Sequence, residues 1–270
     1  MAGPTEHELL AVVEQSPAAA AAHDRIGWVG LFGPDGRVED PVGSRPHVGP
    51  AQIGRFYDTF IGPRDITFHR DLDIVCGSTV IRDLRLEVAM GASVTMHIPA
   101  ILRYDLTECP AEFGGQWKLQ RLRAYWELPA MMRQFLRSGP GAIPAGMQLA
   151  RSLLGNQRLA GTAGFAAGFR RPAGRGKKAA QAFLAAIASG DVAAARALLS
   201  PGATVTYADE TAVDLAEFGT RLDGARPAML LAAGSTVAVS MTAAQRRGVL
   251  FADVDARGRE LTTIRYFPGD

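Results

Sequence analysis

The segment Leu31–Tyr57 decides how the rest of the chain is interpreted; it reads LFGPDGRVEDPVGSRPHVGPAQIGRFY. Much of it is apolar residues, glycine or residues that form turns, and Asp40 stands among them directly before a proline. GPDGR predicts a turn that leads into a short strand at Val38, and Pro41 directs the chain away from that strand. Asp40 therefore either caps a turn at the surface or points its carboxylate into an apolar space.

Helical and strand-like patterns lie on either side of this segment. Residues 6–32 predict two helices with a break at Pro17, and residues 49–61 predict a third helix because their apolar side chains recur at helical spacing. Four runs of period two follow, separated by turns, at residues 66–75, 78–88, 93–106 and 116–128. This order predicts an α+β fold in which a curved antiparallel sheet packs on helices and forms a cone with an apolar interior.

A carboxylate inside such a cone has altered chemistry. Removing it from water is costly, and this cost raises its pKa and its basicity. Such a group suits a general base that takes a proton from carbon. The position of Asp40, between a strand and a proline, is compatible with this role and with a surface turn.

Two stretches resemble one known family. Leu31–Tyr57 contains VEDPVG and then the helix pattern GxxxIxxFY, and Leu119–Trp126 reads LQRLRAYW. Both are similar to the ketosteroid isomerase and SnoaL-like family of the nuclear transport factor 2-like superfamily, and the similarity spans about residues 6–128. It implies the cone-shaped, cystatin-like α+β barrel, a steroid-sized apolar cavity, and a role for Asp40 as the family's proton-shuttling base.

The resemblance also shows what this chain lacks. The family holds its dienolate oxygen with two hydrogen-bond donors, a tyrosine and a protonated aspartic acid. Ser16 falls at the position of the tyrosine and Ala100 at that of the acid, so both donors are expected to be missing. Alternation along the strand predicts that Ala100 faces the cavity and that His97, a tempting substitute donor, faces away. The other pocket positions implied by the resemblance are Phe32, Phe56, Tyr57, Met96, Ile98 and Trp126.

A retained base without its donors leaves two main hypotheses. In the first, the protein is an isomerase-like enzyme acting weakly on a steroid or another hydrophobic ketone, with Tyr57, Trp126, the Ser16 hydroxyl or a water as replacement donor. Loss of one donor costs about 100- to 1000-fold in rate. In the second, it is a non-catalytic carrier or sensor of a steroid or lipid. A third hypothesis, epoxide hydrolysis by two aspartates bridged through an arginine, lacks a second acid assigned to the cavity face.

The second half of the chain repeats the first weakly. From Lys177 the order of helix, helix, turn and strand returns, and residues 264–267 align with residues 122–125. In this alignment Tyr207 falls at the position of Asp40, so the repeat is expected to lack the base. Its expected role is packing, pairing with the first copy, or presenting a binding surface.

This repeat predicts the domain boundaries. Residues 1–128 are expected to form a ketosteroid isomerase-like domain, residues 129–176 a basic Gly/Ala-rich linker, and residues 177–270 a second, degenerate domain of the same kind. Fold class is therefore α+β with two cones in tandem.

The linker region has an unusual charge. Residues 128–190 contain no Asp or Glu and nine Lys or Arg residues. Its first amphipathic helix is expected to place four apolar side chains, Met131, Met132, Phe135 and Leu136, on one stripe beside Arg133 and Arg137. Either this stripe covers the flank of the first cone, or residues 129–178 meet an anionic membrane surface or a partner protein. Each cation near such a membrane contributes about 1 kcal/mol.

Composition limits the remaining functions. A formal net charge of +2 and the sparse aromatic residues of the basic region argue against a nucleic acid partner. The five histidines and two cysteines show no metal-ligand spacing and no phosphate loop is present, so neither a metal nor a cofactor is expected. With no long apolar stretch and an acidic start, the chain is expected in the cytoplasm or peripherally at the membrane. A homodimer and pairing of the two domains within one chain both stay open.

Overall fold

The computed structural model describes residues 4–90, 94–109, 115–139, 142–144, 146–147, 173–208, 211–222, 224–243 and 246–269. The chain divides into two compact units, Met1–Phe169 and Arg170–Asp270. Most of the predicted linker, residues 129–176, lies outside the described residues.

The first unit starts with helices and continues with a sheet. Its elements are α1 (Glu6–Ala21), α2 (Arg25–Gly30), β1 (Phe32–Glu39), β2 (His47–Val48), α3 (Gly49–Phe56), a π-helical turn (Tyr57–Ile61), β3 (Asp65–Cys76), β4 (Thr79–Ala89), β5 (Thr95–Glu108), β6 (Trp117–Tyr125) and α4 (Leu128–Arg137). The strands form one sheet in the order β2-β1-β6-β5-β4-β3. Strand β1 is parallel to β6, and every other pair in this sheet is antiparallel. The predicted α+β class and the four predicted meander strands are confirmed.

The first two helices meet at a different place from the predicted one. Helix α1 runs through Pro17 without a break, since a single missing N–H removes one hydrogen bond from a run that is otherwise rich in alanine. The break comes at His23, whose φ of 53° is left-handed, and at Asp24, whose carboxylate accepts from the N–H of Gly27 and caps α2. The prediction of a break at Pro17 was therefore wrong.

Strand β1 is longer than predicted. It starts at Phe32 and contains GPDG, with a register shift against β6 between Phe32 and Arg37. The predicted turn is thus an irregularity within the strand, because the chain keeps pairing with β6 on both sides of it.

One apolar core lies between the sheet and the helices of this unit. Along β5, alternate side chains from Met96 to Leu106 join this core, and Thr95, His97 and Pro99 are exposed. The predicted outward direction of His97 is therefore confirmed. Its backbone N–H donates to the side-chain oxygen of Gln134 at 3.0 Å.

Helix α4 packs on the same core. Leu128 is buried, and Met131, Met132 and Phe135 are partly buried against the core. Of the two alternatives for the apolar stripe, the structure shows packing on the first unit for these three side chains, whereas the fourth, Leu136, is 69% exposed and does not pack.

The second unit repeats the order of elements. It contains α5 (Ala173–Ala188), α6 (Val192–Ala197), β7 (Leu199–Tyr207), β8 (Thr211–Ala212), α7 (Leu215–Leu222), β9 (Arg226–Ala233), β10 (Thr236–Thr242), β11 (Arg247–Val254) and β12 (Leu261–Pro268). Its sheet has the order β8-β7-β12-β11-β10-β9, with β7 parallel to β12. Strand for strand, this is the arrangement of the first unit.

The parallel strand pairs give a residue-level alignment of the units. Val38 lies opposite Leu122 in the first unit, and Val205 lies opposite Ile264 in the second. Two residues beyond these partners stand Asp40 and Tyr207, as the sequence alignment predicted.

A hydrogen-bonded trio occurs at equivalent places in both sheets. In the first unit, Asp105 accepts from Thr79 at 3.3 Å and from Arg123 at 2.6 Å. In the second unit, Asp253 accepts from a threonine at 2.5 Å and from an arginine at 2.8 Å; these donors are Thr236 and Arg265. The same polar contacts at the same register positions support a common origin for the two sheets.

A buried ion-pair cluster joins α1 to the sheet. The Arg82 side chain is 2% exposed and donates to both carboxylate oxygens of Asp73, at 2.7 and 2.9 Å, and to Glu14 of α1 at 2.8 Å. Removing one partner from a buried ion pair leaves the other charge uncompensated, and this is strongly destabilising.

The substitution Asp73→Asn is expected to lower the free energy of unfolding of the first unit by about 3 kcal/mol, because it leaves the Arg82 guanidinium short of a counter-charge. Urea denaturation followed by tryptophan fluorescence measures this, since all three tryptophans lie in the first unit. Asp58→Asn is the control: its pair with Arg25 is exposed and worth about 1 kcal/mol or less. Equal effects of the two substitutions would contradict the assignment.

Candidate functional site

Asp40 lies where β1 ends beside the end of β6. The parallel pairing of these strands brings it next to Trp126, and the indole N–H of Trp126 donates to the Asp40 carboxylate at 2.5 Å. Trp126 belongs to the apolar core and is 9% exposed. Of the two positions considered from the sequence, a surface turn and an apolar space, the structure places the carboxylate against the core.

The surroundings of Asp40 change its ionisation. Burial raises the pKa of Asp40 to about 6, even though the hydrogen bond from Trp126 acts in the opposite direction. A carboxylate with this pKa is largely ionised at neutral pH and is a stronger base than an exposed one.

Ala100 lies on β5, the strand next to β6. Because Ile101 pairs with Tyr125, the next position puts Ala100 across from Trp126, and Ala100 is fully buried. Its methyl group offers no hydrogen bond, and the indole N–H of Trp126 is already donated to Asp40.

A second group of predicted pocket residues surrounds Trp28 of α2. Ring centroids of Phe32, Tyr57 and Phe56 lie 5.1, 5.6 and 6.0 Å from that of Trp28, which is 2% exposed. Its indole N–H donates to the Ser16 hydroxyl at 3.2 Å. Trp28 was not predicted as a site residue, although a large aromatic side chain in a short apolar helix is expected to pack against other rings.

Tyr57 turns its ring toward Trp28. Its hydroxyl is buried and has no hydrogen-bond partner among the described residues. Burial, and after it the negative charges of Asp24 and Asp58, raise the pKa of Tyr57. These two acids belong to the helices of the unit, so the structure surrounds the Tyr57 hydroxyl with groups other than Asp40.

Met96 and Ile98 line the core on β5 and are 3% and 7% exposed. Their positions place them on the same side of the strand as Ala100, near the part of β5 that contacts α4. All nine sequence-predicted residues therefore border one core, in three groups: Asp40 with Trp126 and Ala100, Met96 with Ile98 on β5, and the four residues around Trp28.

His47 of β2 packs its ring on Phe56, with centroids 5.1 Å apart. Burial lowers the pKa of His47 to about 4, and the positive charges of Arg55 and Arg45 act in the same direction. The imidazole is consequently neutral at physiological pH and adds no charge near the core.

A second acid does face the helix-covered side of the sheet, contrary to the sequence analysis. It is Asp73, which shares Arg82 with Glu14 in a carboxylate–guanidinium–carboxylate arrangement. Among the described residues, Arg82 pairs with Asp73 and Glu14, whereas Asp40 is bound by Trp126, so the two-aspartate geometry considered from the sequence is not formed around Asp40. Arg82 could have been recognised from its place between inward-facing Val80 and Leu84.

The described residues lack two further kinds of feature. They contain no group of three or more histidine, cysteine, aspartate or glutamate side chains arranged to hold a metal ion. They also contain no helix that is both long and apolar enough to cross a membrane.

Comparison with known proteins agrees with this architecture. The model of the Nuclear transport factor 2 (NTF2) domain matches residues 8–134, which cover most of the described first unit. The first unit is thus similar to an NTF2 domain, and the second unit has the same strand order as the first.

Several solved structures are similar to about half of this chain. RV0760c from Mycobacterium tuberculosis, in complex with estradiol-17beta-hemisuccinate, is 23% identical with a TM-score of 0.40, covering 45% of this chain and 95% of that one. A Delta 5-3-Ketosteroid Isomerase from Mycobacterium sp. is 25% identical with a TM-score of 0.41, covering 46% and 96%. An LEH-like epoxide hydrolase of M. tuberculosis is 16% identical with a TM-score of 0.42, covering 50% and 94%.

The indole N–H of Trp126 should report the ionisation of Asp40. Its NMR resonance is expected to shift with a midpoint near pH 6, whereas that of Trp28, bound to Ser16, stays constant. In Asp40→Asn the transition disappears. A Trp126 midpoint near pH 4 would instead show a solvated carboxylate.

The same pKa predicts a stability effect. Because the folded-state pKa of Asp40 is raised, its contribution to stability is complete below about pH 4. It is lost as the pH rises through about 6.

Proposed function

We propose that the first unit binds a hydrophobic ketone of steroid-like size, with Asp40 as the base that moves a proton between two of its carbons. The observation that supports this most directly is the Asp40 carboxylate, partly buried beside the core residue Trp126 and hydrogen-bonded by its indole N–H. Trp126 and Ala100, which lies across from it, are buried in the apolar core, so the surroundings proposed for a ligand are apolar.

The proposed reaction is a closed proton transfer. Ionised Asp40 takes a proton from the carbon beside the ketone, and the electrons of that C–H bond move onto the carbonyl oxygen to give a dienolate. The protonated Asp40 then returns the proton to the far carbon of the conjugated system, and the carbonyl re-forms. The base ends as it began, so no oxidant or co-reactant is needed.

This reaction lacks the two expected hydrogen-bond donors to the dienolate oxygen. At the two positions where the resemblance expects donors stand Ala100, which has no polar side chain, and Ser16, whose hydroxyl accepts from Trp28. We therefore propose weak catalysis. The alternative is a carrier that binds the same ligands without transforming them, and the ionised Asp40 is what favours the enzyme.

Ultraviolet absorbance of the conjugated enone measures turnover of a Δ5-3-ketosteroid. Wild type is expected to exceed the solution rate, with kcat/KM rising as the pH passes about 6 because the base must be ionised. Asp40→Asn keeps the size and an acceptor for Trp126 but loses the base, and should reduce kcat/KM about 100-fold or more.

Asp35→Asn is the matched control, because Asp35 is an exposed carboxylate on the same strand. It is expected to behave like wild type. If all three proteins are inert while the steroid still quenches tryptophan fluorescence, the carrier alternative replaces the enzyme.

A second candidate function concerns the α4 patch, formed by the exposed residues Arg133, Leu136, Arg137, Ile143 and Met147. Three of its side chains, Leu136, Ile143 and Met147, are 69%, 62% and 51% exposed, and among the described residues only Ile26 joins them as an exposed large apolar side chain. The patch lies within the acid-free residues 128–190. Exposed apolar groups beside cations are typical of surfaces that bind anionic membranes.

We propose that the α4 patch attaches the protein peripherally to an anionic membrane at the cytoplasmic face. The double substitution Arg133→Gln and Arg137→Gln should weaken binding to phosphatidylserine-containing vesicles about 20- to 30-fold, at about 1 kcal/mol per cation. Sedimentation with vesicles that contain or lack phosphatidylserine measures this.

Arg257→Gln with Arg259→Gln is the matched control, since it removes the same charge from an exposed turn of the second unit. It should leave vesicle binding almost unchanged. Equal losses for both double variants, or binding that ignores phosphatidylserine, would favour a protein partner for this surface.

A further inference from the structure

Tyr104 carries a polar group that the proposed reaction does not use. It lies on β5 with its side chain in the core, fully buried, and its hydroxyl has no hydrogen-bond partner among the described residues. A buried hydroxyl without a partner is destabilising by about 1–3 kcal/mol. Phenylalanine would fill the same space without that cost.

The neighbours of this hydroxyl are polar. The positive charge of Arg82, and after it Ser16 of α1, act in the direction that lowers the pKa of Tyr104, although no hydrogen bond of good geometry reaches the Tyr104 oxygen. Because Ser16 accepts from Trp28, its own proton is left to donate. Burial outweighs these effects and raises the pKa of Tyr104 above its ordinary value, so the phenol keeps its proton.

The second unit fills the equivalent place without polar groups. Helix α6 is capped by Asp191 after Gly190, as α2 is capped by Asp24 after His23, and counting back the same number of residues matches Ser16 with Phe183. In the sheet, Tyr104 pairs with Leu122 and Ala252 with Ile264, so Ala252 matches Tyr104.

Phe183 and Ala252 are both fully buried and apolar. In the second unit, a large side chain on the helix and a small one on the strand therefore fill this part of the core. The reversed and polar combination of Ser16 and Tyr104 is a property of the first unit alone.

The Tyr104 hydroxyl is remote from Asp40 along the sheet. Ala100 lies across from Trp126, the partner of Asp40, and Tyr104 follows four residues later on the same face of β5, about 13 Å along the strand. Between them the strand presents Leu102, which is apolar and 5% exposed. A hydroxyl that can donate, separated from the proposed base by apolar surface, matches an elongated apolar molecule with an oxygen at the end remote from Asp40.

We propose that the Tyr104 hydroxyl, with Ser16 beside it, donates a hydrogen bond to a second ketone or hydroxyl oxygen of the ligand, at the end remote from Asp40. This inference rests on the proposed function and narrows its ligand class to apolar molecules oxygenated at both ends. Tyr104 is here a binding and specificity residue.

Binding of 5α-androstane-3,17-dione and of its mono-ketones, 5α-androstan-3-one and 5α-androstan-17-one, tests this, with tryptophan fluorescence as the readout. Wild type is expected to bind the dione about tenfold more tightly than the mono-ketone that lacks the oxygen bound by Tyr104. In Tyr104→Phe that preference should disappear, with mono-ketone affinity retained. Tyr266→Phe, which alters a buried tyrosine of the second unit, should keep the preference.

The unfolding temperature of the ligand-free protein accompanies these titrations. Tyr104→Phe should leave it unchanged or raise it, because the lost hydroxyl has no partner in the free protein. A lowered unfolding temperature with an unchanged dione preference would overturn the inference and assign the hydroxyl a structural role. Equal dione preference in wild type and Tyr104→Phe overturns only the proposed role of Tyr104. Wild type that binds none of the three ketones overturns both that role and the proposed function.

Discussion

The parallel pairing of β1 with β6 is the contact on which the first unit depends. It joins the beginning of the fold to its last strand, and the N–H of Leu119 donates to the carbonyl of Leu31 at its start. At its other end the same pairing brings Asp40 to Trp126, across 86 positions of sequence. The second unit makes the matching contact from Leu261 to Leu198, so the closure of the sheet is common to both halves.

Polar groups inside the first unit are held in separate sets. Asp40 is bound by one indole, Ser16 by another, and Arg82 by two carboxylates. Each partner reduces the cost of burying a polar group, and the incomplete pairing at Asp40 leaves that carboxylate basic. The raised pKa of Asp40 thus follows from its having one hydrogen-bond donor, where a carboxylate at the surface would be hydrated by several waters.

The two units show how one fold carries different interiors. Their sheets share a strand order, a parallel closing pair and the trio centred on Asp105 or Asp253. They differ where a ligand would be bound: the second unit has Tyr207 in place of Asp40. The shared features stabilise the sheet, and the differences concern chemistry, which supports assigning the proposed activity to the first unit.

Local pattern in the sequence determined the element types, because period two and helical spacing are local properties of the chain. The same local pattern determined the inward face of β5 and the outward direction of His97. The VEDP segment indicated Asp40 as the candidate base. Local pattern misplaced the break near Pro17, since one proline is tolerated within a long alanine-rich helix.

Tertiary structure decided which of these residues meet. Trp28 at the centre of the aromatic cluster, the inward ion pair of Arg82 with Asp73, and the unpartnered hydroxyl of Tyr104 depend on contacts between α1, α2 and the sheet. Burial and hydrogen bonding set their energies, and both are sums over neighbours remote in sequence. The types of residue at these positions could therefore be read from the sequence. The raised pKa of Asp40 and its single indole donor arise only in the folded unit.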